Sequence, residues 1–455
     1  MKTTGKDWAR LDKKYLWHPF TQMADWEKED ILVIERANGI YLIDTNGKRY
    51  IDGVSSLWCN VHGHRVSEID RAIRDQLKRI AHSTFLGLSN VPAIQLAEEL
   101  ISFAPKGLTR VFYSDSGSEA VEIGLKMAYQ YWQQKGEKKK TKFAKLTHAY
   151  HGDTLGAVSV GGIALFHETY QPLLFETFEI SAPYVYRWPS PNGGVRSRQE
   201  VRRESLVQME SVFKRHSKEI AALVMEPLMQ GAAGMIDQPK GYISAVRGLT
   251  RKYNILLLFD EVATGFGRTG QMFAADHERV TPDLMAAAKG LTGGYAPLAV
   301  TLTTEEIYQA FLGDYSEFKT FFHGHTYTAN PLACRAALAS LELFRKKKVL
   351  EKLQGKIDFL KEHLKVFRGL SHVGDIRQVG FMVGIELVKD RTTREPYPLE
   401  IKIGSRVIQE ARKRGVVLRP LGNVIVLMPP LGISRGELGE LINRTYDSVR
   451  MVAGD

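Results

Sequence analysis

Apolar residues along this chain fall into two alternating patterns. Short apolar runs at 111–113, 143–146, 223–225, 255–259 and 298–302 have the length of buried strands, and segments with apolar positions three or four apart lie between them. The clearest such segment, 118–132, sets Val121, Leu125, Ala128 and Trp132 on one helical face. This alternation predicts an α/β fold in which a mainly parallel sheet is covered by helices on both faces. Ligands of such sheets sit beyond the carboxyl ends of the strands.

The two ends of the chain read differently. Residues 31–52 hold three extended runs separated by Asn38-Gly39 and Asn46-Gly47. These dipeptides supply positive φ at both centres of a type I′ turn, so a small antiparallel meander is expected. From Ser67 onward Ile69, Ile73, Leu77 and Ile80 recur at helical spacing, and Pro92 is placed to open the next helix. Beyond Pro331 a long helical stretch leads to strands over 373–388, a helix near 400–413, strands around 416–428 and a last helix. The predicted division is a leader and meander over 1–60, a large unit over 61–330, and a smaller α/β unit over 331–455 that packs with the meander.

Composition changes this picture little. With 455 residues, 44% of them hydrophobic and 25% charged, the chain has the make-up of a globular protein of two or three units. The net charge of +11 is not concentrated: the basic clusters at 138–140 and 345–348 are short and follow helical patterns, where solvated lysines suit a helix C-terminus. No nucleic-acid partner is expected. Cys59 and Cys334 form no metal or disulfide spacing, residues 1–8 show no apolar signal core, and the longest aliphatic stretch is too short to cross a bilayer. A cytoplasmic location without a membrane partner follows as the expectation.

The candidate chemistry gathers at predicted strand ends. The run at 255–259 closes on Asp260-Glu261 and a glycine-rich segment, 264–270. An acid there suits a pyridoxal phosphate (PLP) site, which needs an anion beside the pyridine nitrogen; a helix-capping Asp is the alternative. Gly265, Gly267 and Gly270 satisfy G-x-G-x-x-G, yet two acids intervene between strand and glycines and would repel a pyrophosphate. Lys289 stands 29 positions after Asp260, behind apolar 284–288 and before Gly290. A desolvated amine of this kind forms imines and moves protons, although a snorkelling surface lysine fits the local spacing equally. Residues 114–120, Ser-Asp-Ser-Gly-Ser-Glu-Ala, join a strand to a helix and suit a phosphate, with simple capping by Ser116 or Ser118 also compatible. Tyr150 follows the strand at 143 and is placed to lie against a flat ring. The pairs His148/His151, His323/His325 and His62/His64 match no established ligand spacing, so no metal is expected.

Together these segments resemble the class III aminotransferases of PLP fold type I, over essentially the whole chain. The specific elements are Asp260-Glu261, the glycine-rich 264–270 and the lysine about thirty positions on. Within the family the chain is most similar to the branch that converts 8-amino-7-oxononanoate to 7,8-diaminononanoate for biotin. That likeness rests on 17–23 (Trp-His-Pro-Phe-Thr-Gln-Met), 52–58, 323–326, 330–333 and 419–430. The resemblance implies that Lys289 carries PLP as a Schiff base, Asp260 pairs with the ring nitrogen, Gly117 and Ser118 hold the phosphate, and Tyr150 covers the ring. It further implies that Thr326, beside His325, reaches the phosphate of a neighbouring subunit in a homodimer, that Gly324 borders the substrate, and that Arg419 takes the substrate's distal carboxylate.

Two departures bear on the amino donor. Members of the family that use S-adenosylmethionine resemble His-Pro-Tyr and Trp-Trp where this chain has His18-Pro19-Phe20 and Leu57-Trp58. An indole face favours a sulfonium cation, so Leu57 points instead to lysine, the donor of another branch. Phe20, Leu57 and Trp58 are therefore expected at the substrate. Competing readings are another ω-amino acid, ornithine or 4-aminobutyrate transamination, a PLP-binding transcription regulator, or a nicotinamide oxidoreductase.

Overall fold

The computed structural model describes residues 7–190 and 196–454. After a helix at Trp8–Tyr15 the chain forms an antiparallel meander of β1 (Ile34–Asn38), β2 (Tyr41–Asp44) and β3 (Arg49–Asp52). Both Asn-Gly dipeptides lie at its turns, but only Gly39 and Gly47 take positive φ, so the expected type I′ geometry does not form. At the second turn the reason is a side chain: Asp44 Oδ1 accepts the N–H groups of Asn46 (2.9 Å) and Lys48 (2.8 Å), which fixes the turn without a left-handed asparagine.

The main sheet contains β4 (Leu108–Ser114), β5 (Lys142–Leu146), β6 (Thr177–Ile180) and β7 (Ile220–Met225). A small hairpin, β8 (Met229–Gln230) and β9 (Ile236–Asp237), intervenes before β10 (Leu256–Asp260), β11 (Leu284–Ala287) and β12 (Ala299–Thr304) complete it. Their spatial order is β4-β12-β11-β10-β7-β5-β6, and only β12 runs antiparallel to its neighbours. The carboxyl ends of β4, β11, β10, β7 and β5 therefore share one edge.

Strand periodicity explains the double cover. Leu256 and Leu258 pack with Ala222, Val224, Leu284 and Ala286 under the helix Gly117–Gln134, whereas Leu257 and Phe259 join Leu223, Met225, Met285 and Ala287 in the core on the opposite face. Both halves of each central strand are thus buried, which is why these runs read as continuously apolar rather than alternating. The strand β6 escapes such reading because it is short, at the edge, and only Ile180 is fully buried.

The C-terminal third forms β13 (Val373–Val379), β14 (Met382–Asp390), β15 (Glu395–Pro396), β16 (Val416–Val417), β17 (Arg419–Leu421) and β18 (Val424–Leu427). Here β16 pairs in parallel with β3, so one sheet is built from both ends of the chain. No helix among the described residues is long and apolar enough to cross a membrane. One expectation fails: Lys140 is not a solvated helix-end lysine but is buried, donating Nζ to the carbonyls of Ser217 (2.8 Å), Ile220 (3.1 Å) and Asn254 (2.6 Å) over the Trp132 ring. Burial pulls its pKa down to about 8.

Close packing of the 117–134 helix on the sheet needs a glycine. A Cβ at Gly124 would collide with Leu258 Cδ1. Gly124→Ala is therefore expected to cost roughly 1–3 kcal/mol by overpacking, outweighing about 1 kcal/mol of gained helix propensity. Denaturant unfolding should show that Leu258→Val in the same chain recovers part of this loss.

Candidate active site

The shared strand edge opens on a cavity of about 480 Å³ whose lining includes Trp58, Ser116, Gly117, Ser118, Tyr150, His151, Glu226, Asp260 and Lys289. Its size is ordinary for a cofactor-sized molecule. Each wall follows from a strand end. Beyond β4, Ser116 caps the helix Gly117–Gln134 in a capping box: Glu119 Oε2 accepts the N–H groups of Asp115 (2.8 Å) and Ser116 (2.9 Å), and Ser116 Oγ accepts that of Glu119. The N–H groups of Gly117 and Ser118 find no protein acceptor among the described residues, and the Ser116 and Ser118 hydroxyls stand 3.3 Å apart. That is an open cradle for an anion. It is also tight, since a Cβ on Gly117 would lie 2.6 Å from Val262 Cγ1 and one on Gly152, whose φ is +120°, would strike Ser118.

The floor is made by two neighbouring strands. Asp260 ends β10, is buried, and accepts from Val262 N through Oδ1 (3.0 Å) while Oδ2 meets His151 Nδ1 at 2.7 Å. One Asp260 oxygen is thus tied to the chain and the other faces the ring, whose Nε2 is buried without a partner. Lys289 follows β11 with φ +40°, and its Nζ lies 4.9 Å from the centre of the Trp58 ring. It makes no hydrogen bond among the described residues. Desolvation holds its amine below the usual lysine range, opposed in part by the charges of Asp260 and Glu226.

Glu226 was not anticipated, although it carries the same signal as Asp260: it directly follows the apolar strand β7. Its Oε1 accepts Tyr150 N (3.1 Å) and its Oε2 accepts Gly231 N (2.7 Å). Burial, reinforced by the nearby Asp260, pushes its carboxyl up to about 7. Tyr150 donates its phenol to Asp153 Oδ2 at 2.7 Å, and burial raises the phenol above its ordinary range.

Trp58 arrives on an unusual element. Ser55, Ser56, Leu57 and Trp58 have φ of +51°, +49°, +75° and +71°, forming one left-handed helical turn closed by Trp58 N to Val54 O (2.7 Å) and Cys59 N to Ser55 O (3.1 Å). Left-handed helix costs roughly 1–2 kcal/mol per L-residue, so this turn stores roughly 4–8 kcal/mol. Long-range bonds offset that cost. Ser55 Oγ donates to Met428 O (2.6 Å), and the fully buried Arg268 donates to Trp58 O (3.2 Å), Asn60 O (3.0 Å) and Pro429 O (2.7 Å). The indole Nε1 of Trp58 is itself buried without a partner.

Other residues singled out from the sequence stand around rather than in this cavity. Phe20 is exposed and packs edge-on against Phe166 (5.2 Å), which in turn meets Tyr150 edge-on (6.2 Å). Leu57, 50% exposed, flanks Trp58 in the turn. Arg419 is exposed on β17 directly opposite Val426, and Val426 shares an apolar cluster with Trp58. Opposite residues of an antiparallel pair share a face, so the guanidinium is on the Trp58 side of that sheet. Gly324 and Thr326 are exposed, and His325 Nδ1 lies 3.6 Å from Asp115 and 3.4 Å from Glu119. Those three are the one trio among the described residues whose ligand atoms converge as a metal site would need, but Glu119 is already engaged in its cap.

The family model described as aminotransferase class III matches residues 22–449. The chain belongs to the class III aminotransferases. It is 56% identical over 443 residues, 97% of this chain and 96% of the relative, to the adenosylmethionine-8-amino-7-oxononanoate aminotransferase of Anoxybacillus flavithermus. The crystal structure of the enzyme of that name from Methanocaldococcus jannaschii superposes with a TM-score of 0.93 at 47% identity, covering 98% of this chain and 99% of the other. A PLP-bound amine transaminase from an uncultivated Pseudomonas species superposes with a TM-score of 0.90 at 36% identity, over 96% and 98% of the two chains. The protein is therefore a PLP-dependent aminotransferase with the type I fold. The cradle of unpaired N–H donors at Gly117 and Ser118, the strand-end acid and the unbonded amine fit that cofactor.

The buried Glu226 yields a pH test on the PLP-free protein. A carboxyl whose folded pKa is raised from 4.5 to about 7 binds its proton more tightly folded than unfolded, so its contribution to stability falls as pH rises between those values. Relative to the parent, Glu226→Gln should gain roughly 3 kcal/mol between about pH 4.5 and about pH 7 in denaturant titrations, because glutamine does not titrate. Parallel stability curves would contradict this.

Proposed function

We propose that this aminotransferase delivers an amino group to the keto carbon of 8-amino-7-oxononanoate, giving 7,8-diaminononanoate for biotin synthesis. The observation that carries the reading is the meeting of Asp260, Lys289 and the Ser116–Ser118 turn in one cavity, in a chain whose relatives are named for that acceptor. PLP, when bound, supplies an electron sink and a place to keep the amino group between donor and acceptor.

The residues divide the remaining work. Asp260 presents a fixed negative charge to the ring nitrogen, kept in place by Val262 N and His151. Gly117 and Ser118 offer N–H groups, and Ser118 a hydroxyl, to the phosphate. Lys289 Nζ, with its basicity tuned by burial, forms the covalent link to PLP and in the released state moves the proton at the reacting carbon. Tyr150 and Trp58 close the cavity from water. Arg419 suits the distal carboxylate, since a planar guanidinium binds it through two hydrogen bonds.

The donor we favour is lysine. Leu57 stands beside Trp58, and Phe20 packs on Phe166, which meets Tyr150; in these places a sulfonium would profit from an indole and a hydroxyl. The names of the relatives favour S-adenosylmethionine and support the second reading. We further propose a homodimer, supported by the exposed aromatic residues Tyr315, Phe318, Phe322 and Tyr327 around His325 and Thr326, and a cytoplasmic setting, consistent with the free thiols of Cys59 and Cys334.

Mixing the PLP-loaded protein separately with lysine and with S-adenosylmethionine, without acceptor, tests the donor: lysine should bleach the cofactor's visible band, and bleaching by S-adenosylmethionine alone would overturn the preference. Joint replacement Phe20→Tyr and Leu57→Trp should raise turnover with S-adenosylmethionine several-fold. Arg419→Ala should raise KM for 8-amino-7-oxononanoate by roughly ten- to hundredfold while leaving the donor half of the reaction intact.

A further inference from the structure

The left-handed turn at 55–58 contains no glycine, so contacts from outside must impose its conformation. We infer that Asp52 is the positioning residue of this turn, and through it of the donor side of the cavity: its carboxylate holds Ser56 left-handed, so that Trp58 faces Lys289 with the exposed Leu57 beside it. The inference rests on the reading of the Lys289 cavity given above.

Asp52 ends β3 and is fully buried, yet it does not line the cavity. Among the described residues, every hydrogen bond of its carboxylate goes to the turn or to His64. Oδ1 accepts Ser56 N (2.9 Å), and Oδ2 accepts Ser56 Oγ (2.7 Å). His64 Nε2 lies 3.0 Å from the same Oδ2. The tautomer of His64 follows from its other side: Nδ1 faces the Asn60 Nδ2 amide at 3.0 Å, a donor, so Nδ1 accepts and Nε2 carries the hydrogen that Asp52 receives. Asn60 is fixed in turn by accepting Gly63 N at 2.7 Å. Beneath, β3 is locked in register, with Asp52 N donating to Ile40 O (2.8 Å) and Asp52 itself paired with Val417.

The consequence is a division of labour. Ser55 and Arg268 grip the turn at its ends, through Met428 O and Trp58 O respectively, and the Cys59 thiol donates to Ser56 O (3.4 Å), while among the described residues Asp52 alone bonds both the backbone and the side chain of a residue in its middle. Ser56 gives a single carboxylate its N–H and its hydroxyl at once, a match made in the left-handed conformation observed, φ +49° and ψ +45°. Remove the second acceptor and Ser56 is free to relax toward the right-handed or extended regions that L-residues prefer, carrying Leu57 and Trp58 with it.

A glycine separates conformational control from any other service Asp52 performs, because glycine takes positive φ without a Cβ penalty. The test uses the PLP-loaded full-length parent, Asp52→Asn, and Asp52→Asn with Ser56→Gly. Asparagine offers one acceptor where the carboxylate offers two and sets an N–H against a donor. Asp52→Asn should raise KM for the donor that turns over, lysine or S-adenosylmethionine, by roughly ten- to hundredfold with a smaller change in kcat, and should weaken the visible circular dichroism of the bound cofactor. The added Ser56→Gly should return both readouts to within about threefold of the parent. A single variant that behaves as the parent would overturn the inference. So would a double variant as impaired as Asp52→Asn, or one that fails to fold alongside it. A parent chain that holds no PLP at Lys289 would remove the inference together with the reading beneath it, and the parent's borohydride-reduced adduct distinguishes that failure from the others.

Discussion

A lysine amine taken out of water beside two buried carboxyl groups is the constraint on which this structure turns. Removing ionised groups from water costs several kcal/mol each unless partners compensate. Here the compensation is partial by construction: Asp260 is held by Val262 N and His151, Glu226 by two backbone N–H groups, and Lys289 by nothing it can hydrogen-bond among the described residues. The sheet makes this arrangement possible. Its central strands are covered on both faces, so their adjacent carboxyl ends open into a place already shielded from bulk water. An amine kept in that state is poised to join a carbonyl and to trade protons, which is the task of an aminotransferase lysine.

The walls above it are coupled to the same groups. Glu226 ties the backbone of Tyr150 to that of Gly231, and Gly231 lies so close to Trp58 that a Cβ there would sit 3.2 Å from the indole. One buried acid therefore sets the spacing of two aromatic residues lining the cavity. The opposite support comes from the strained turn, whose conformation is imposed by contacts to Asp52, Met428 and Arg268 in three separate segments. Strain of this kind persists only where the surroundings over-determine it, and here the surroundings include strands from both ends of the chain.

Much of this was legible in the sequence for identifiable reasons. Asp260 and Lys289 follow fully apolar strands, and a charged residue in that position must have a use or a partner. The helix after Ser116 announces itself by its cap and its apolar face. The glycine-rich 264–270 segment is tied into the packing on both sides: Glu261 at its head accepts the N–H groups of Ala274 and Ala275, and Arg268 within it is buried against the left-handed turn. What escaped depended on distant contacts. Ser55 to Trp58 have no local preference for positive φ, and Lys140 is buried only because three carbonyls distant in sequence meet it; at the second Asn-Gly turn the cause is local, the Asp44 side chain. Glu226 is different, since its signal was present and local.

The central claim is that the amine at the end of β11, facing the acid at the end of β10, is the group that takes the cofactor. Reduction of the PLP-loaded protein with borohydride, followed by mass analysis of its peptides, addresses it most directly. The account predicts one stoichiometric pyridoxyl adduct on the peptide containing Lys289, and none at any site in Lys289→Ala. An adduct on a different lysine, or one that survives in Lys289→Ala, would contradict it.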